Sequence, residues 1–214
     1  MERQLYERLV STGQLLQQAL VAQSLDSANA GRRYFVVGSP EAIAGRLLRA
    51  DRVADADAVM LLELSAAETA DPGRLSWLTE AADRRLPLYA SRADVSEPVA
   101  RGELTAGFAL VLNAYRARGG EVLLFGKPSG RVYARCLNLL DPIESKRIGS
   151  IGEQFPADIF GAREMGIEPI FVGSGAGGLV DDSPAAIEAW HIEMARLCDS
   201  YGIFELSVVP GFAW

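Results

Sequence analysis

The chain is poor in the residues that build the commonest chemical centres. It has one histidine, His191, and two cysteines, Cys136 and Cys198. One histidine cannot make a multi-histidine metal site, and two cysteines make neither a disulfide framework nor a zinc site. His191 lies in the amphipathic stretch IEAWHIEMARL and both cysteines lie in helix-like stretches, so all three read as structural. Long hydrophobic runs are missing as well. Nothing approaches the roughly 20 consecutive apolar residues of a membrane span. The N-terminal MERQLYERLV has no apolar signal-peptide core, so a cytoplasmic location is expected. A segregated basic patch is also lacking. With 21 Lys+Arg against 28 Asp+Glu, the net charge of -7 repels nucleic-acid phosphates. What is present is ordinary globular composition. The 214 residues, 49% hydrophobic, suit one large domain or two small ones with a real core.

Leucines 5, 9, 16 and 20 share one helical face, which predicts a helix over 2–24. RYFVVG (33–38), DAVMLLEL (57–64) and LPLYAS (86–91) read as buried strands. Between them, 41–50 and RLSWLTEAADRR (74–85) read as helices, the first opened by Ser39-Pro40-Glu41. Residues 93–104 read as an irregular loop and 105–118 as a helix. After Gly119-Gly120, strands EVLLFG (121–126), RIGSIG (147–152) and PIFVGS (169–174) alternate with helices near 129–140, 156–166 and 184–200. Strands alternating with helices predict an α/β fold with parallel sheets, covered by helices on both faces. The predicted organisation is an N-terminal helix in 1–30, one α/β unit over 31–118 and a second over 119–214.

Ligands of open α/β sheets gather at the carboxyl ends of strands. There stand Lys127 after EVLLFG, Glu153 and then Asp158 after RIGSIG, and the glycine-rich 175–178 after PIFVGS. A lysine neutralises phosphate charge and carboxylates hold a hard cation through oxygen, so this set would suit a magnesium-phosphate site. The competing structural roles are a solvated lysine and helix-capping carboxylates. VGSGAGG is not a P-loop, since no Gly-Lys-Ser/Thr follows, and it is not GxGxxG. The doublets Arg32-Arg33 and Arg84-Arg85 read as solvated surface, and Trp77 and Trp190 as core.

The stretch GGEVLLFGKPSGRVYARCLNLL, followed by KRIGSIGEQFPADIFGAREMGIEPIFVGSG, resembles the C-terminal half of haloacid dehalogenase (HAD) superfamily proteins of the subfamily IIA, sugar-phosphatase-like type. Lys127 matches the phosphate-binding lysine of the Gly-Lys-Pro motif. Gly152 and Asp158 match the motif around the metal-binding acids, and Gly161-Ala162 and Gly166-Ile167 match the helix that follows. Upstream, RYFVVGSPE, ADAVMLLEL and LPLYASRADV resemble the subfamily's inserted α/β cap of the C2 type. The resemblance implies a HAD-like Rossmannoid core, here partial, with that cap, and Mg2+ as a possible cofactor.

Three departures bear on function. The family's chemistry uses an aspartate nucleophile in an Asp-x-Asp motif after the first core strand, with the second aspartate as general acid and base. No strand followed by Asp-x-Asp precedes the cap-like segment; Asp55 and Asp57 have the spacing but precede a strand. The usual metal-binding aspartate is Glu153, one methylene longer. The cap's Asn-x-Asp reads Arg92-Ala93-Asp94, making Arg92 and Asp94 the candidate ligand-facing pair. The expectation is a HAD-like protein without phosphatase activity on its own, acting as a binding, regulatory or scaffold subunit. A protein partner or homo-oligomer would cover the open sheet edge, and the ligand would be a phosphorylated small molecule. The alternatives are a magnesium-dependent phosphatase or phosphotransferase, completed by another chain or an N-terminal segment, and a different α/β activity.

Overall fold

The computed structural model describes residues 8–25, 31–39, 48–64, 75–91, 97–99, 103–105, 107–173 and 183–209. The chain is α/β, as its alternating pattern predicts. It divides into two compact units: 1–99 with 103–132, and 100–102 with 133–214.

The first unit opens with helix α1 (Thr12–Leu25), followed by β1 (Arg33–Val37), β2 (Leu48–Ala50) and β3 (Ala58–Leu61). Helix α2 (Ser76–Asp83), strand β4 (Leu88–Ala90), the short strands β5 (Glu97–Val99) and β6 (Glu103–Thr105), helix α3 (Gly107–Ala117) and strand β7 (Val122–Leu124) complete it. The main sheet runs β2-β1-β3-β4-β7, parallel throughout. Its middle strand β3 has no exposed residue, and its side chains alternate between two cores. Val59 and Leu61 meet Leu78 of α2 and Val111, Leu112 and Tyr115 of α3. Ala58 and Met60 meet Leu16 and Leu20 of α1 on the other face. Both faces of the parallel sheet are therefore covered, which its continuous apolar strands require.

The second unit holds most of helix α4 (Gly130–Leu140), then β8 (Gly149–Gly152), a helical segment α5 (Phe155–Glu164), β9 (Glu168–Val172), helix α6 (Pro184–Ser200) and β10 (Ser207–Val209). Its sheet runs β10-β9-β8, again parallel. Phe155, Ile159, Phe171, Met194 and Ile203 form its main core. Helix α6 starts where Ser183-Pro184 signals a start: the Ser183 hydroxyl accepts the N–H of Ala186 at 3.3 Å, with proline in the first turn.

Several elements differ from the sequence reading. Of the helix expected over 41–50, residues 41–47 lie outside the described residues, and Leu48–Ala50 instead pair with Arg33–Phe35 as edge strand β2. The loop expected over 93–104 contains the antiparallel pair β5–β6. The sequence pattern groups the strand within 121–126 with the C-terminal half. It pairs instead with β4, Leu88 opposite Val122, so the first unit runs to Val132 and not to 118. The N-terminal helix begins at Thr12, and Leu9 is exposed. Of the arginines expected at the surface, Arg32 is half-buried and donates to the Tyr89 hydroxyl at 3.0 Å, while Arg84 is exposed as expected and also donates to the Val53 carbonyl. The proposed start at Ser39-Pro40-Glu41 falls partly on 40–47, outside the described residues.

Leu16 is 1% exposed and sits in the core between α1 and the main sheet. Leu16→Ala is therefore expected to destabilise the chain by about 2–5 kcal/mol. A chemical-denaturation curve checks this, and an unchanged midpoint would mean that α1 does not cover the sheet.

Candidate functional site

Strand β8 ends at Gly152, and the backbone turns sharply through Glu153 and Gln154 into α5. Asp158 closes that turn. Its Oδ2 accepts the N–H of Glu153 at 3.2 Å and of Gln154 at 3.1 Å. Its own N–H donates to the Gln154 carbonyl at 2.7 Å. The carboxylate is 7% exposed, the one buried charged side chain among the described residues. Charged acceptors make the stronger backbone hydrogen bonds, so this single group fixes the shape of the loop after β8.

The packing around it is close. A Cβ added at Gly152 would lie 2.3 Å from the Asp158 Cβ, so only glycine fits beside the carboxylate. The first turns of α5, Phe155–Phe160, are π-helical, a local widening that is frequent at functional sites. Tyr133 of α4 supports this segment. Its hydroxyl donates to the Ala157 carbonyl at 2.6 Å, with the Asp158 carbonyl at 3.3 Å. A Cβ at Gly161 would lie 2.7 Å from that hydroxyl, which explains the small residue there. Burial, reinforced by the Asp158 carboxylate, pushes the Tyr133 phenol far above its ordinary range, so it stays a neutral donor.

The structure thus brings Glu153 and Asp158 together on one loop, with different roles. Glu153 is exposed at the mouth; Asp158 is buried and engaged with the backbone. Lys127 belongs to the other compact unit. It is exposed, just past β7, where Phe125 donates to the Ala90 carbonyl at 3.0 Å and Ser129 donates to the Gly126 carbonyl at 2.9 Å. Arg92, Asp94 and the glycine-rich 175–178 lie outside the described residues. Sequence reasoning missed Tyr133 and the need for a small residue at Gly161. No local signal marks either, because the contact joins two separate helices.

Magnesium prefers six oxygen ligands in near-octahedral geometry. The described residues contain no group of three or more His, Cys, Asp or Glu side chains able to hold a metal. Of the two acids present, Asp158 already commits Oδ2 to the backbone. The residues in hand do not by themselves form a magnesium centre. His191 is exposed and lies edge-on to Trp190 at 5.3 Å. The cysteines, expected as buried filler, are half-buried, with Cys198 against the α6 core.

The fold is that of the HAD-like hydrolases. A haloacid dehalogenase-like hydrolase from Brucella suis superposes with a TM-score of 0.64 at 23% identity, over 81% of this chain and 67% of that one. A p-nitrophenyl phosphatase from Archaeoglobus fulgidus gives a TM-score of 0.61 at 19% identity, over 91% and 70%. A glycerol phosphate phosphatase from Mycobacterium tuberculosis, solved with magnesium, gives 0.55 at 27% identity, over 78% and 49%; it is also solved with calcium. The chain therefore spans about half the length of that last enzyme. No protein-family model matches the chain, and no curated protein does. Among the described residues no helix is long and apolar enough to cross a membrane.

Replacing Asp158 with alanine would leave two N–H groups without their acceptor. The expected loss is about 1–3 kcal/mol, while Glu153→Gln should change stability by less than about 0.5 kcal/mol. Denaturation midpoints of the two variants measure this contrast. Equal effects would contradict the division of roles.

Proposed function

We propose that this chain is a HAD-like phosphate-binding protein that does not hydrolyse phosphate esters on its own and acts as a binding, regulatory or scaffold subunit. One observation carries the reading. Among the described residues, only β2 is followed directly by an aspartate. That residue, Asp51, is exposed at the sheet edge, and Val53 stands where a second aspartate would be needed. A carboxylate attacks phosphorus only when held at the reacting centre with its charge neutralised, and no strand among the described residues presents an aspartate pair in that way. Lys127 supplies the anion-binding charge, and Arg92 with Asp94 would face the ligand from a cap-like unit of the C2 type.

Strand β8 supports the expectation of a partner. It is one of the two edge strands of its sheet among the described residues, and its Ile151 is 51% exposed. An open parallel edge with an apolar side chain invites another strand. In this reading the partner is a second chain or a second copy, and the ligand is a small phosphorylated molecule.

A second reading draws on two of the neighbours, which are phosphatases, one of them solved with magnesium and about twice this chain's aligned span. In it the chain is a magnesium-dependent phosphatase or phosphotransferase completed by another chain or segment. That addition would bring the nucleophile and the oxygen ligands that Glu153 lacks.

The two readings separate in one assay. The purified chain, with its mass in solution measured alongside, is given an aryl phosphate and magnesium. No turnover above buffer, from a defined oligomer, is the expected result. Turnover that Lys127→Ala abolishes would establish a nucleophile within the chain and overturn the first reading.

A further inference from the structure

Helix α4 begins with a charge of the wrong sign. Its first turn contains Arg131 and no acidic residue, although a helix N-terminus carries the equivalent of about half a positive charge. A cation there opposes the dipole. Stability alone would favour aspartate or glutamate at that position. The guanidinium pairs with no carboxylate among the described residues, and it is not loose. Its central carbon lies 5.1 Å from the centroid of the Phe125 ring. Phe125 is 3% exposed and stacks on Tyr89 at 6.1 Å, and the Tyr89 hydroxyl accepts from Arg32 at 3.0 Å. A buried aromatic platform thus holds an arginine at the start of α4 by cation–π attraction. The same short segment carries Lys127, directly after Phe125-Gly126. The Ser129 hydroxyl accepts the Arg131 N–H at 3.4 Å and orders the turn between them.

We propose that Arg131, held on the Phe125 ring, is a second anion-binding cation that acts with Lys127 on the phosphate group of the ligand. The inference rests on the reading of Lys127 as phosphate-binding. Two cations beside a helix N-terminus match a dianion better than a monoanion. An arginine also adds paired donors to the point charge of a lysine. The pair therefore selects a terminal phosphate monoester, which is dianionic above its second pKa of about 6, over a diester, which carries one charge. A local violation of the helix-charge rule, with a built support beneath it, is what a binding site leaves in a sequence.

The test titrates inorganic phosphate into the full chain, its Lys127→Ala variant and its Arg131→Ala variant, at pH 5 and at pH 7.5. Thermal unfolding is recorded with and without phosphate. Arg131→Ala is expected to weaken binding about tenfold at pH 7.5, the factor for losing one charged hydrogen bond. It should also remove the preference for the higher pH, while leaving the phosphate-free unfolding temperature in place. Weakening by Lys127→Ala but not by Arg131→Ala overturns this inference and leaves the Lys127 reading standing. No effect from either variant, or no binding by the parent chain, overturns both. An Arg131→Ala variant that unfolds earlier without phosphate yet keeps its pH preference assigns the residue a structural role only.

Discussion

One carboxylate organises the loop on which the candidate site depends. Asp158 reaches back across the turn after β8 and accepts two consecutive backbone N–H groups, those of Glu153 and Gln154. A buried negative charge is tolerated only when hydrogen bonds replace water, and these bonds do so. Everything nearby accommodates it. Gly152 leaves room for the side chain, α5 widens into a π-helical turn, and Tyr133 holds the carbonyl of Ala157. The result is a fixed loop presenting Glu153 outward from the carboxyl end of a parallel strand. That is the end at which open α/β sheets bind ligands.

Each compact unit is distinct in its charged groups. The second holds the acid loop; the first holds Lys127, and Arg131 beside buried aromatic rings. Cationic groups in the first unit suit a phosphate. The acids in the second, with one oxygen of Asp158 engaged by backbone, do not complete a magnesium shell.

Much of the architecture was legible in the sequence because it depends on local periodicity. The apolar runs at Arg33–Val37 and Ala58–Leu61 and the capped start at Ser183-Pro184 all stand where the pattern puts them. What was hidden depends on distant partners. The Leu-Arg-Ala of β2 favours helix by propensity, and pairing with β1 overrides it. Assigning β7 to its sheet required its register against β4, which no local pattern contains. In the site, the residue types and strand-end positions of Lys127, Glu153 and Asp158 were readable. The division of labour between the two acids was not, since a buried structural carboxylate and an exposed ligand look alike in sequence. Arg131 was invisible for a related reason: its meaning comes from the Phe125 ring beneath it.

The proposal of a Lys127–Arg131 anion site requires that phosphate binding not depend on a metal. Calorimetric titration of inorganic phosphate into the full chain, once with magnesium and once with a chelator, tests it most directly. The account predicts saturable binding of similar affinity in both. Binding that appears only with magnesium would contradict it, and would mean that the acid loop, not the cations beside α4, forms the heart of the site.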